Sequence, residues 1–195
     1  LLIVFSGSKG FHIHVRTQAV QQLSSASRRL MVDYISGKEL TVESLVPTSQ
    51  QAPAHLSGPG KTSTGWQKHF LQTAIAHLDN PAFFTRKKAA YIKENKQMLV
   101  DRMENGNWDP AFHDAKDGAL THILTETVQT RGVEVDSPVT FDVHRLIRVP
   151  GTLHGDTGFV AKPLLSFELP TFSPTKHAAA FNGSAAVKLK ENGSV

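Results

Sequence analysis

The chain opens with an unbroken apolar run, Leu1-Leu2-Ile3-Val4-Phe5, and then alternates apolar and polar through Phe11-His12-Ile13-His14-Val15. Between them, Ser6-Gly7-Ser8-Lys9-Gly10 has the composition of a turn. The pattern predicts a β-hairpin closed by a glycine-bearing loop of five residues. Side chains alternate along a strand, so Phe11, Ile13 and Val15 share one side of the second strand and His12 and His14 the other. Ser24 or Ser25 then caps a helix running to about residue 35. Leu30, Met31, Tyr34 and Ile35 supply its apolar stripe, and Gly37 ends it.

Residues 46–64 are rich in Pro, Ser, Gln and Gly and read as an exposed connection. Three helical segments follow. Trp66, Phe70, Leu71, Ala74, Ile75 and Leu78 recur with helical spacing, interrupted at Asn80-Pro81. Residues 85–103 combine Arg86, Lys87, Lys88, Lys93 and Lys96 with an apolar side of Tyr91, Ile92, Met98 and Leu99. After a turn at residues 106–110, residues 111–130 form the third helix, with Leu120, Ile123, Leu124 and Val128 as core candidates and Gly132 at its end. From Val133 onward, short apolar runs broken by Pro and Gly predict strands and loops: 146–147, 159–160, 164–169 and 185–189. The plan is an α/β (α+β) module split between residues 1–46 and 131–195, a linker at 47–64, and a helical insertion at 65–130.

Composition narrows the class. At 195 residues with 39% hydrophobic and 19% charged positions, the chain is of ordinary globular type. The net charge of +4 permits a polyanionic partner without requiring one. With no cysteine, disulfides and thiolate metal sites are excluded within these residues, in agreement with a cytoplasmic location. No apolar run approaches the roughly 20 residues that span a bilayer, so no membrane partner is expected. The chain does not begin with Met but directly inside a strand pattern, which predicts an upstream extension.

Two stretches carry candidate chemistry. In the hairpin turn, glycines allow close backbone approach to an anion, Ser6 and Ser8 add hydroxyls, Lys9 adds a cation, and His12 projects from the adjoining strand. Residues 135–155 gather Asp136, Arg145, Arg148 and His154 around a Pro150-Gly151 turn. A carboxylate can hold Mg²⁺ or Mn²⁺, and Arg and His can bind phosphate or stabilise developing charge. An ordinary exposed turn and a solvated charged helix are the alternatives on these residues alone. Ser57-Gly58-Pro59-Gly60-Lys61-Thr62 hints at a phosphate loop, but position 55 is His where the pattern requires Gly. The His12-x-His14 pair has no third ligand beside it in sequence.

Taken together, the two stretches resemble a known family. Residues 6–15 resemble the S-G-x-x-G-x-H motif of archaeo-eukaryotic primases. Residues 136–154, with D-x-P-V-T and R-L-I-R-x-P-G-T-L-H, resemble the third motif of the archaeal primase small subunit. The resemblance implies the primase fold, a mixed-sheet catalytic core with a helical insertion. It also implies template-directed synthesis of short RNA primers on single-stranded DNA by two-metal nucleotidyl transfer in replication. Asp136 then matches a catalytic metal ligand for Mg²⁺ or Mn²⁺; Ser6, Lys9, His12, Arg145, Arg148 and His154 match the nucleotide-phosphate contacts. Lys9 stands where arginine is usual, which keeps the charge but loses the planar fork. The implied partners are nucleoside triphosphates, a single-stranded template and a primase large subunit.

The family's Asp-x-Asp pair is absent, and so is its zinc knuckle; both precede the hairpin motif in that family. Structural zinc is therefore expected only upstream, and this chain is expected to be a fragment that does not polymerise unaided. Two rivals stay open: a repair primase-polymerase of the ligase-associated type, favoured locally by Ser8-Lys9, and a single-strand-binding module without catalysis.

Overall fold

In the computed structural model, which describes residues 1–48, 55–142 and 144–181, the opening hairpin forms as the pattern predicts. Strand β1 (Leu2–Phe5) pairs antiparallel with β2 (Phe11–His14), with Phe5 opposite Phe11 and Val4 opposite His12. On the other side of β1 lies β3 (Pro163–Leu164), giving the order β2-β1-β3. A mixed sheet was expected; among the described residues both pairings are antiparallel, because the chain returns to β1 from the opposite direction each time.

Helices follow: α1 (Gln18–Gln21), α2 (Ser25–Ser36), α3 (Val42–Leu45), α4 (Gly65–His77), α5 (Arg86–Glu104), α6 (Asp109–Phe112), α7 (Ala119–Arg131), α8 (Ser137–Phe141) and α9 (Pro174–His177). Two compact units result: residues 1–25 with 142–195, and residues 26–141. The sequence plan drew its boundaries at 46 and 131 instead. Helix α2 belongs with the helices because the Trp66 indole N–H donates to the Tyr34 carbonyl at 2.6 Å, and Gly37 lies against Trp66 and Val128.

In the first unit, one face of the sheet is aromatic. Phe5 packs with Phe159, Phe172, Leu164 and Ala178. Phe11 rests on Phe5 and Phe172, each 5.8 Å away between ring centroids. Phe11, Ile13 and Val15 nevertheless stay exposed, since β2 is an outer strand, while His12 and His14 on the opposite face are half-buried. The apolar side of β2 is thus the wetter one.

The second unit has the larger core, built from α3 to α7 around Phe70, Leu99, Met103, Trp108 and Ile123. Trp108 stacks on Phe70 at 5.5 Å with the rings within 8° of parallel. Helix α5 starts at Thr85, whose hydroxyl accepts from the Lys88 N–H. It kinks at Asn95, whose side-chain amide donates to the Tyr91 carbonyl at 2.9 Å.

Four expectations are corrected. The stripe Leu30, Met31, Tyr34 and Ile35 of α2 is exposed, and Val32 is the residue it buries. The third predicted helix is two, α6 and α7, because the Lys116 N–H bonds to the Phe83 carbonyl and Gly118 turns at φ +79°. The 57–60 stretch is not a loose linker: Pro59 is buried, and its carbonyl accepts from the Trp108 indole at 3.1 Å. In residues 164–169, the strand stops after Leu164 and a 3₁₀ turn (Ser166–Thr171) takes over, stabilised by the Glu168 carboxylate accepting the Leu165 N–H at 2.6 Å. The run predicted at 185–189 lies outside the described residues.

A Cβ at Gly58 would lie 2.5 Å from the Trp108 ring, which is itself pinned between Phe70 and Pro59. Gly58→Ala therefore costs about 1–3 kcal/mol of stability by overpacking. A thermal unfolding midpoint equal to that of the parent would show that the Trp108 corner yields freely.

Candidate functional site

The turn between β1 and β2 is organised by Ser6. The ladder extends one step past Phe5 through a Ser6 N–H to Gly10 carbonyl bond of 2.8 Å. That places Ser6 on the same sheet face as Val4 and His12. The Ser6 hydroxyl oxygen accepts from the N–H groups of Ser8 and Gly10, both at 3.3 Å. These bonds are long beside the usual 2.9–3.0 Å, so the two N–H groups converge on one point that an anionic oxygen can take over. Lys9 is exposed at the tip.

The second stretch supplies a loop that meets this turn. Leu153 bridges to Val160, and His154 closes the loop at its base: its N–H donates to Phe159 (2.8 Å) and its carbonyl accepts from Gly158 (2.9 Å). Gly7, at φ +86°, lies so close that a Cβ there would be 2.8 Å from the His154 Cβ and 3.2 Å from the Phe159 carbonyl oxygen. The Thr157 hydroxyl donates to the Gly7 carbonyl and accepts the Phe159 N–H at 3.2 Å.

The loop's side chains are also oriented. His154 Nδ1 accepts from the Asp156 N–H at 3.3 Å, so a neutral ring carries its proton on Nε2, where it serves as a donor. One nitrogen of Arg148 donates to the Leu153 carbonyl at 2.9 Å, which holds the guanidinium along the loop and leaves its other N–H groups for a ligand. Arg145 is exposed, in the same unit. The turn and the loop thus come together in one unit, with Ser6, Lys9, His12, Arg145, Arg148 and His154 all in it. Thr157 was not among the predicted residues, although Gly155-Asp156-Thr157-Gly158 directly after His154 is a turn signature.

Asp136 belongs to the second unit, exposed, directly before α8. Among the described residues no three His, Cys, Asp or Glu converge to hold a metal ion. One carboxylate falls short of the oxygen set Mg²⁺ demands, so the described residues do not by themselves fit that ion.

Charge follows the same division. The first unit has eight Lys and Arg against four Asp and Glu, and the second has thirteen of each, so the whole excess of +4 belongs to the unit holding the turn and the loop. Among the described residues no helix is long and apolar enough to cross a membrane.

A backbone turn whose N–H groups gather on Ser6 meets a loop that carries an oriented histidine and arginine, in the basic unit of the chain, an arrangement with the chemistry to receive an anionic oxygen. The chain belongs to the DNA primase small subunit family, whose model matches residues 1–165. Similar relatives, each named DNA primase small subunit PriS, come from Methanothrix thermoacetophila (33% identical over 92% of this chain and 52% of the relative) and Methanococcoides burtonii (33%, over 96% and 53%). A third, from Picrophilus torridus, is 31% identical over 88% of this chain and 47% of its own length. The chain spans about half the length of the curated relatives it matches.

Gly7 and Gly10 separate two roles for glycine. Gly7→Ala forces a side chain into positive φ and against His154, whereas a Cβ at Gly10 meets nothing within 4 Å. Gly7→Ala costs roughly 1–3 kcal/mol. Gly10→Ala leaves the thermal unfolding midpoint near the parent value. Equal midpoints for the two variants would remove the close approach from the account of this turn.

Proposed function

We propose that this chain is the nucleotide-binding part of a primase small subunit, which makes short RNA primers on single-stranded DNA during replication. The observation that supports it best is the meeting of the Ser6–Gly10 turn with the His154 loop in the unit that holds all the excess positive charge. The relatives' names point the same way. The substrate is a nucleoside triphosphate and the template a single strand; the reading favours a cytoplasmic protein that works beside a large subunit.

In the reaction, the 3′-hydroxyl of the growing strand attacks the α-phosphorus and gives its proton to solvent, an O–P bond forms, and the bond to pyrophosphate breaks. Charge accumulates on the leaving oxygens. Arg148 and Lys9 offset that charge, His154 donates from Nε2, and the turn N–H groups now held by Ser6 donate to a phosphate oxygen. His12, on the Ser6 face of β2, completes the phosphate side, with Arg145 in the same unit. We assign Asp136 as one ligand of the divalent ion such a reaction uses, Mg²⁺ or Mn²⁺, with the remaining ligands outside the described residues. By itself the chain binds nucleotide and does not polymerise.

The replicative reading is preferred over ligase-associated repair synthesis because the relatives reported above carry the replicative subunit's name.

The test is primer synthesis on single-stranded DNA with ribonucleotides and Mn²⁺, using this chain within the intact protein. Synthesis is expected, with Asp136→Ala abolishing it while the fold persists. Near-normal synthesis by Asp136→Ala would displace it as metal ligand. Absent synthesis in the intact protein, with ATP binding retained, would favour a binding module. Template affinity should also fall steeply with salt as counterions are released; a flat response would argue against a nucleic-acid partner.

A further inference from the structure

Between the hairpin turn and the His154 loop, a polar tie is made by a residue outside the recognised motif positions. Thr157 uses its hydroxyl twice: it donates to the Gly7 carbonyl and accepts the Phe159 N–H. The first bond crosses from the loop to the turn; the second anchors the hydroxyl to its own loop. Gly7 presents no side chain to the loop, and its approach to His154 is a van der Waals contact without direction. The next backbone link between the two segments is farther out, from the Phe5 N–H to the Lys162 carbonyl at 2.8 Å.

The surroundings make this tie decisive for position and minor for folding. Thr157 is exposed, so it contributes little to a core. Glycines flank its turn: Gly158 sits at φ +69°, and a Cβ at Gly155 or Gly158 would meet nothing within 4 Å. The turn is closed on His154 itself, by its N–H to Phe159 and its carbonyl from Gly158, so the Thr157 hydroxyl holds the whole turn, His154 included, against Gly7. The base of the loop is held separately by the Leu153–Val160 bridge and the Gly151 N–H to Ala161 carbonyl bond.

We propose that Thr157 is a positioning residue of the phosphate site: its hydroxyl fixes the distance between the Ser6–Gly10 turn and the imidazole of His154, and so sets the gap that a triphosphate fits. This rests on the reading of that site as a nucleotide site. It predicts that the hydroxyl, and not the bulk of the side chain, governs affinity for the phosphates.

The experiment measures ATP and adenosine binding by calorimetry, together with thermal unfolding, in the intact protein. Thr157→Val keeps the shape and removes the hydroxyl; Thr157→Ser keeps the hydroxyl. Thr157→Val should weaken ATP binding roughly five- to tenfold, as expected for one lost hydrogen bond that orders a loop. Thr157→Ser should stay close to the parent, adenosine binding should not change, and the unfolding midpoint should hold in both. Unchanged ATP affinity in Thr157→Val, while Arg148→Ala loses it, overturns the positioning role and leaves the site intact. Unchanged affinity in both variants overturns the site reading, and this inference with it. Weaker ATP binding accompanied by a lowered midpoint, with no rescue by Ser, makes Thr157 a structural residue and also overturns the proposal.

Discussion

The closeness of Gly7 to His154 governs what the first unit can do. A main-chain segment cannot lie this near the Cβ of His154 and the carbonyl of Phe159 if it carries a side chain, and Gly7, at φ +86°, carries none. The contact makes one site out of two segments separated by about 140 positions of sequence, most of them in another unit. The other groups follow from it. Arg148 lies along the loop because the Leu153 carbonyl faces it, and the imidazole is oriented because Asp156 caps its Nδ1. Here the fold spends its precision on backbone proximity and leaves the side chains to be aligned by single local bonds.

Ser6 illustrates how such a turn stays ordered with no ligand. Its hydroxyl oxygen gathers two backbone N–H groups at distances longer than typical, which stabilises the turn without committing those donors strongly. In the proposed reading, a phosphate oxygen, carrying formal charge, is the stronger acceptor and would displace the hydroxyl at small cost. The serine would then retain a donor of its own for the same ligand. One short side chain thus keeps the turn preorganised.

Much of this was legible beforehand, for physical reasons that also explain what was not. The hairpin, α2, α4 and α5 could be read because strand and helix periods are local properties, and glycine marks where the chain must turn. Which face of an element is buried depends on what packs against it. So the Leu30–Ile35 stripe of α2 and the apolar side of β2 came out exposed, while Val32 and the histidine side came out protected. The break between α6 and α7 was hidden because it depends on a backbone bond from Lys116 to Phe83, 33 positions away. The proposed phosphate residues Ser6, Arg148 and His154 could be picked out as motif positions; the Thr157 hydroxyl's bond to Gly7 is encoded by no spacing. Asp136, a motif position too, belongs to the second unit.

The outer strand β2 has a consequence for handling the molecule. Among the described residues this strand pairs only with β1, with Phe11, Ile13 and Val15 exposed and neither lysine nor proline within the strand to deter further pairing. Such an edge templates addition of a like strand, so colloidal stability in concentrated solution falls to the mutual repulsion of the basic units. Raising ionic strength to quiet nucleic-acid contamination during purification would remove that repulsion too. The charge that would attract the proposed template is then the same charge that keeps the molecules apart.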